Sequence, residues 1–197
     1  MEEESMKMSS ERKPEIVVFA GPNGSGKSTF TEIVNKVGVY ITADDIKRVL
    51  NCTDLEAAEL ADDMRMACVE QGKDFMFETV LSTPKKLEFL SYAKSNGYFI
   101  KGFFILTADP AINVMRVKSR ARSGGHDVPK EKIISRYEKA MKNLPKFIEI
   151  CDVCHVYDNT IEPFRIYKKR ITEYFIWENE IWSKERIHTL VTDAEQL

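Results

Sequence analysis

Residues 16–30 read IVVFAGPNGSGKSTF, a short apolar run that passes straight into G-x-x-x-x-G-K-S and on into a helical pattern. This spelling constrains the fold more than anything else in the chain. A strand, a glycine-rich loop and a helix in that order form a cradle for a phosphate chain. Backbone N–H groups can wrap an anion only where no Cβ blocks the approach and where positive φ is tolerated. Lys27 then reaches the β- and γ-phosphates, Ser28 ligates Mg²⁺, and the helix turns its positive end to the anion. Gly21, Pro22, Asn23, Gly24, Ser25, Gly26 and Thr29 complete the cradle. The segment binds a nucleoside triphosphate.

The pattern around it predicts an α/β fold: a doubly wound, mostly parallel sheet of the P-loop NTPase or kinase type. Apolar spacing predicts a helix over 27–37 whose Phe30, Ile33, Val34 and Val37 pack on the sheet. Further helices are expected at 43–50 behind a Thr42 N-cap, at 54–72, 84–96 and 110–122, and from Pro129 to about Glu149. The helix over 54–72 is so rich in charge that it should lie largely in solvent. Strands are expected at 39–41, 75–79 and 98–106, with a strand near 153–157 closing the sheet. Residues 123–127 form a flexible joint. Beyond Pro163 two alternating runs flank Lys168-Lys169-Arg170 and suggest a β-hairpin, followed by a short helix over 184–191. Trp177 and Trp182 are read as packing anchors. Residues 1–13 are expected to be a flexible tail, 14–160 a kinase core, and 161–197 a hairpin-helix appendage on the same domain.

Composition narrows the function classes. A formal net charge of -2 over 197 residues, with Lys and Arg spread along the chain, gives no global nucleic-acid footprint and leaves room only for a local patch. Nucleic acid is therefore not expected as a partner on this reading. No apolar run approaches the roughly 18 residues of a membrane span. The start, MEEESMKMSSERK, is acidic and polar where a secretory signal would be basic and apolar. A cytoplasmic location is expected. Cys151-Asp152-Val153-Cys154-His155 matches a haem-attachment spelling that needs export, and no second Cys/His pair supports zinc. The segment reads better as a buried strand with small apolar cysteines.

A parallel sheet presents its ligand crevice at the C-terminal ends of its strands. Asp44 and Asp45 follow the second strand, Glu78 and Thr79 the third, and Arg116, Arg120 and Arg122 flank the Gly124-Gly125 joint. Phosphoryl transfer needs alignment and positive charge on the moving group more than covalent chemistry. Asp44 is the choice for the base that takes the acceptor's proton, although one of the two aspartates serves only the helix start. Glu78 grips the acceptor or holds Mg²⁺, directly or through a water. Arg116 and Arg120, four apart, share a helix face and suit a lid closing on the phosphoryl group. Arg122 is a further contact to the nucleotide, and Arg136 a weaker candidate on the substrate side.

AGPNGSGKSTF (20–30), ITADDI (41–46), FETVLS (77–82), RSGGHDVP (122–129) with Arg136-Tyr137, Asn143-Leu144 and VYDNT (156–160) resemble, in order and spacing, the zeta-toxin-like family of P-loop kinases. The resemblance covers roughly residues 15–160 and looks like that of a short stand-alone member. It implies ATP with Mg²⁺ as cofactors and, in the toxin members, the 3′-hydroxyl of UDP-N-acetylglucosamine as acceptor. By position Lys27 and Ser28 match the phosphate and metal contacts, Asp44 the catalytic base, and Glu78 the acidic residue near substrate and metal. Any antitoxin-like inhibitor is expected to be a separate chain. The expected function is an ATP-dependent kinase acting on a hydroxyl of a small molecule. An NTP-hydrolysing ATPase or switch and a polynucleotide-end kinase are the alternatives.

Overall fold

Each of the first four strands is followed by a helix before the next strand is laid down, so the chain returns to the same sheet edge and the strands run parallel. In the computed structural model, which describes residues 12–124 and 128–192, the order is β1 (Glu15–Ala20), α1 (Lys27–Ile33), β2 (Val39–Ile41), α2 (Ala43–Leu50), α3 (Asp54–Glu70), β3 (Phe75–Thr79), α4 (Lys85–Ser95), β4 (Phe99–Leu106), α5 (Pro110–Arg122), α6 (Lys130–Ile150), β5 (Val153–Asp158), β6 (Phe164–Arg170), β7 (Glu173–Ile176) and α7 (Lys184–Thr192). The sheet order is β2-β3-β1-β4-β5-β6-β7. The first five strands are parallel and the last two antiparallel. Residues 1–11 of the expected tail and residues 125–127 of the expected joint lie outside the described residues.

Alternation along the strands divides the core into two. Ile16, Val18, Phe75, Phe77, Ile100 and Phe104 face α3, α4, α6 and α7. Val17, Phe19, Met76, Phe103 and Ile105 face the other way and meet Phe30 of α1. With β1 between β3 and β4, the loop after β1 opens at the centre of the sheet's C-terminal edge.

Two expectations need correction, the extent of the first helix and the strand that closes the sheet. The first helix stops at Ile33 instead of running to Val37, because Val34 turns extended (φ -81°, ψ 135°). Ile33 is 74% exposed, whereas Val34 and Val37 still reach the sheet from extended chain. The β-branched pair Ile33-Val34 favours that exit over another helical turn. Helix α3 lies largely in solvent as expected, and the narrow stripe it buries is Ala57, Ala61, Arg65 and Val69, so its small residues and one arginine face inward while Leu55 is 69% exposed. β5 does not close the sheet, since β6 and β7 extend it antiparallel, with Tyr167 and Ile166 buried on the side covered by α6 and α7. The strand is otherwise the buried segment expected, with Cys151 and Cys154 free and buried. Both tryptophans are packed: Trp182 is fully buried, and Trp177 is half-buried with the guanidinium of Arg165 4.4 Å from its ring centre.

One cation adds to the β5–β6 ladder in holding the added hairpin to the core. Lys169 Nζ on β6 donates to the carbonyls of Ile148 (2.8 Å), Glu149 (2.9 Å) and Cys151 (3.0 Å), which cluster at the C-terminal end of α6. Those carbonyls have no partner within the helix, and positive charge is favoured there. Lys169→Met should therefore lower the urea midpoint by the equivalent of about 1–3 kcal/mol with an unchanged slope. A midpoint equal to wild type would show that strand pairing and apolar packing hold the hairpin without Lys169.

Candidate active site

The loop after β1 is shaped by where its carbonyls go. Lys27 Nζ donates to the carbonyls of Gly21 (2.9 Å) and Pro22 (3.0 Å). Asn113 on α5 donates through Nδ2 to the carbonyl of Asn23 (2.7 Å), and Asn159 after β5 donates to that of Ser25 (2.8 Å). Asn113 is itself fully buried and fixed by the Thr107 hydroxyl. With the carbonyls held from outside, the amides of Asn23, Gly24, Gly26, Lys27 and Ser28 have no backbone partner among the described residues. A row of unpaired N–H groups around a turn is an anion cradle. Three of its positions, Gly21, Gly24 and Gly26, exclude a side chain. A Cβ on Gly21 would lie 2.0 Å from the Ile105 carbonyl oxygen, and Gly26 sits at φ +96°, left-handed, where α1 begins.

The cradle opens into a cavity of about 780 Å³ that also reaches Glu78 and Thr79 at the end of β3, Asp44 and Asp45 on α2, and Arg116 and Arg120 on α5. The residues expected at the strand ends are thus brought to one place. Arg122 is not among the lining residues and ends α5 exposed to solvent. Arg136 also lies off the cavity, but its Nη1 is 3.4 Å from Asn23 Oδ1 and so supports the loop.

The two aspartates differ in their ties. Asp45 is bound on all sides: its amide donates to Thr42 Oγ1 (3.0 Å), Oδ2 accepts from the Thr42 hydroxyl (2.9 Å), and Oδ1 accepts from Arg48 (2.6 Å). That is an N-cap device for α2. Asp44, one residue earlier in the first turn, makes no hydrogen bond or ion pair among the described residues and faces the cavity. Glu78 Oε1 accepts from the Tyr40 hydroxyl at 2.6 Å, which leaves Oε2 available. Burial and the bond to Glu78 push the Tyr40 pKa up, so Tyr40 remains a neutral donor. Thr79 serves the backbone: its hydroxyl accepts from Leu81 N (3.0 Å) and its carbonyl from Gly21 N (3.2 Å). Leu81 is buried at φ +57°, and Asn143 Nδ2 holds its carbonyl at 2.8 Å.

Burial lowers the pKa of Lys27 to about 8; Glu78 opposes the shift and Arg120 adds to it. An ammonium whose charge is this poorly compensated awaits an anion. Arg116 Nη2 donates to the Thr160 carbonyl (3.1 Å), which fixes its place at the cavity wall, while Arg120 is exposed at the rim. As for metal, the described residues hold no cluster of three or more His, Cys, Asp or Glu. Ser28 and Glu78 supply hard oxygen donors on one cavity, which suits Mg²⁺, an ion that keeps waters and takes most other ligands from phosphates.

Residue-by-residue reading of the sequence did not single out Tyr40, Arg65, Asn113 and Asn159. Asn159 stands within VYDNT, and Arg65 continues the Ala57-Ala61 spacing, an i, i+4 stripe of small residues that marks a buried helix face.

The Zeta toxin family model matches residues 1–172. A protein of Haemophilus influenzae described as uncharacterized is 29% identical over 127 residues, which are 61% of this chain and 91% of that one. Among solved structures, the AvrRxo1-ORF1:-ORF2 complex with ATP matches with a TM-score of 0.68 at 14% identity, covering 93% of this chain and 65% of the other. The chain thus spans under two thirds of that neighbour. The PezAT chromosomal toxin–antitoxin system of Streptococcus pneumoniae matches with a TM-score of 0.59 at 15% identity, covering 94% and 86%. At such identities the structural likeness speaks for the fold alone. With the P-loop, the parallel sheet and the family match in agreement, the chain belongs to the zeta toxin family and has the P-loop kinase fold.

Proposed function

We propose that the protein is an ATP-dependent small-molecule kinase that moves the γ-phosphoryl group to a hydroxyl, with a UDP-sugar such as UDP-N-acetylglucosamine as the leading acceptor. The observation that carries this reading is one cavity with an amide-lined phosphate cradle on one wall and the untied carboxylate of Asp44 on the other. In this scheme the amides of residues 23–28 and Lys27 hold the triphosphate. Asp44 accepts the proton of the acceptor hydroxyl and orients it, an effect worth roughly 10²–10⁴ in rate. Arg120 and Arg116 neutralise charge on the transferring group, and Glu78, set by Tyr40, positions the acceptor or the metal's water. Thr79 and Asp45 shape the acceptor wall through the backbone they fix. Ser28 and Glu78 would hold Mg²⁺, which when bound offsets charge on the phosphates.

Residues 14–160 form the catalytic core of this scheme and 161–197 its extension. An inhibitory partner would on this reading be a separate chain; the PezAT structural neighbour is a toxin–antitoxin system. A cytoplasmic site of action is proposed on the sequence reading; among the described residues no helix is long and apolar enough to cross a membrane.

Asp44→Asn should retain ATP affinity and lose 10²–10⁴-fold in transfer of label from γ-labelled ATP, with Asp45→Asn losing mainly stability. Loss of transfer confined to Asp45→Asn would assign the base to the wrong carboxylate. A second expectation follows from Lys27. Its free-state pKa of about 8 is lowered from the ordinary 10.5, so the neutral amine gains as pH rises past 8, whereas a bound triphosphate restores the charge. ATP binding should then take up roughly half a proton at pH 8 and approach one at pH 9, read by calorimetry in buffers of different ionisation enthalpy. A binding enthalpy independent of buffer at pH 8 would contradict it.

A further inference from the structure

Strands β4 to β7 carry a second surface, on the side of the sheet turned away from α3, α4, α6 and α7. Among the described helices only α1 puts a buried side chain into the apolar cluster on this side, and β6 and β7 contribute nothing to that cluster. The register fixes which residues stand here. Lys101, Val153 and Arg170 are opposite one another across β4, β5 and β6, as are Phe103, His155 and Lys168. Lys168 is in turn opposite Phe175 of β7. Residues opposite one another share a face. Past the irregularity in the β5–β6 ladder, Arg165 is opposite Tyr157, and its guanidinium lies 4.4 Å from the Trp177 ring centre.

Rings and cations are interleaved on this face. Phe103 stacks on Phe19 with ring centres 5.2 Å apart, His155 on Phe103 at 5.0 Å, and Phe175 on Trp177 at 6.1 Å. Lys101 Nζ is 5.6 Å from the centre of the Phe103 ring. Among the described residues none of Lys101, Arg165, Lys168 and Arg170 forms an ion pair. Glu173, opposite Arg170, is the one carboxylate of β4 to β7 in register on this side, and Glu15 of β1 is tied to Arg12. Two nitrogens here are buried without a partner: Arg165 Nε, and Nδ1 of His155, a residue only 8% exposed. Burial, and then the charges of Arg165, Lys168 and Lys101, push the His155 pKa down to about 4, so the imidazole is neutral at physiological pH. In a chain whose formal net charge is -2, these four cations are a local excess. A simple anion would use the cations and leave the rings idle. Single-stranded nucleic acid uses both, phosphates on the cations and base planes on the rings of an open sheet.

We propose that this face binds single-stranded nucleic acid, with the phosphates along Lys101, Arg165, Lys168 and Arg170 and the bases against Phe175, which is 45% exposed, and the half-buried Tyr157 and Trp177. The strand is a ligand of the sheet and not a phosphoryl acceptor, since no residue of the face lines the cavity that holds Lys27 and Asp44. The proposal is therefore independent of the kinase reading.

The test uses the full chain and fluorescence anisotropy with four labelled probes of matched length: oligo-U RNA and oligo-dT DNA of about 12 nucleotides, a DNA duplex, and an oligoglutamate peptide. At least one of the two single strands should bind, with the duplex and the peptide about tenfold weaker or more. Its affinity should fall with salt at a log–log slope of about -3, from roughly 0.7 per phosphate contact. Lys168→Gln combined with Arg170→Gln should weaken single-strand binding about tenfold and flatten the slope by about 1.4. Phe175→Ala should weaken it about five- to tenfold with the slope unchanged, because the ring carries no charge. ATP affinity in both variants should equal wild type, which shows that they are folded. Equal affinity for the peptide overturns the proposal in favour of an acidic protein partner, and a duplex bound as tightly overturns the single-strand assignment. Absence of salt-dependent binding to either single strand overturns it outright. Single-strand binding that ATP displaces, or that neither variant weakens, overturns it by placing the contact elsewhere on the chain.

Discussion

The fold and the chemistry both depend on how the carbonyls of the loop after β1 are satisfied. A loop can offer its N–H groups to an anion only if its C=O groups are taken up elsewhere, because the two point in opposite directions along the chain. Here Asn113 and Asn159 come from two different parts of the chain to hold the carbonyls of Asn23 and Ser25. Lys27 holds those of Gly21 and Pro22. The central position of β1, between β3 and β4, is what brings these donors within reach. Asn113 adds a further link, since its own carbonyl oxygen is fixed by Thr107 at the end of β4.

The opposite wall is built by a different logic. Thr42 ends β2 and caps α2, and that cap occupies Asp45 fully. Asp44 is thereby left as the carboxylate with nothing else to do. Behind it, the Tyr40 hydroxyl fixes Glu78, and Thr79 and Asn143 hold the turn through Leu81 in a left-handed conformation that costs a non-glycine residue free energy. Strain of that kind persists where the surroundings over-determine it. Here it sets the path of the chain immediately after Glu78. Four cations line the cavity: Lys27 at the cradle, Arg116 and Arg120 on α5, and Arg65 on α3.

Much of the architecture was legible in the linear pattern, and the reasons are local. The glycine and lysine spacing of residues 21–28 has few other physical uses. Thr42 before Ala43-Asp44-Asp45 is a recognisable helix start. What was not legible depended on tertiary context. The end of α1 is decided by Val34 and Val37 reaching Met76 and the sheet from extended chain, which helical spacing cannot express. Arg65 sits in a run of charges that reads as a solvated face, and only its stacking on Phe77 shows that it is inside. The division of labour between Asp44 and Asp45 needed the position of Arg48. That the C-terminal hairpin continues the sheet needed the pairing of β6 with β5, which alternation alone does not assign to a neighbour.

The central claim is that a triphosphate held by residues 21–28 presents its terminal group to Asp44 across the shared cavity. A crystal structure with Mg²⁺, a non-hydrolysable ATP analogue and the acceptor tests it most directly. The account predicts an acceptor oxygen within hydrogen-bond reach of Asp44 and about 3–3.5 Å from the terminal phosphorus. A terminal phosphate turned away from α2, with Asp44 in bulk solvent and no acceptor oxygen beside it, would contradict the account.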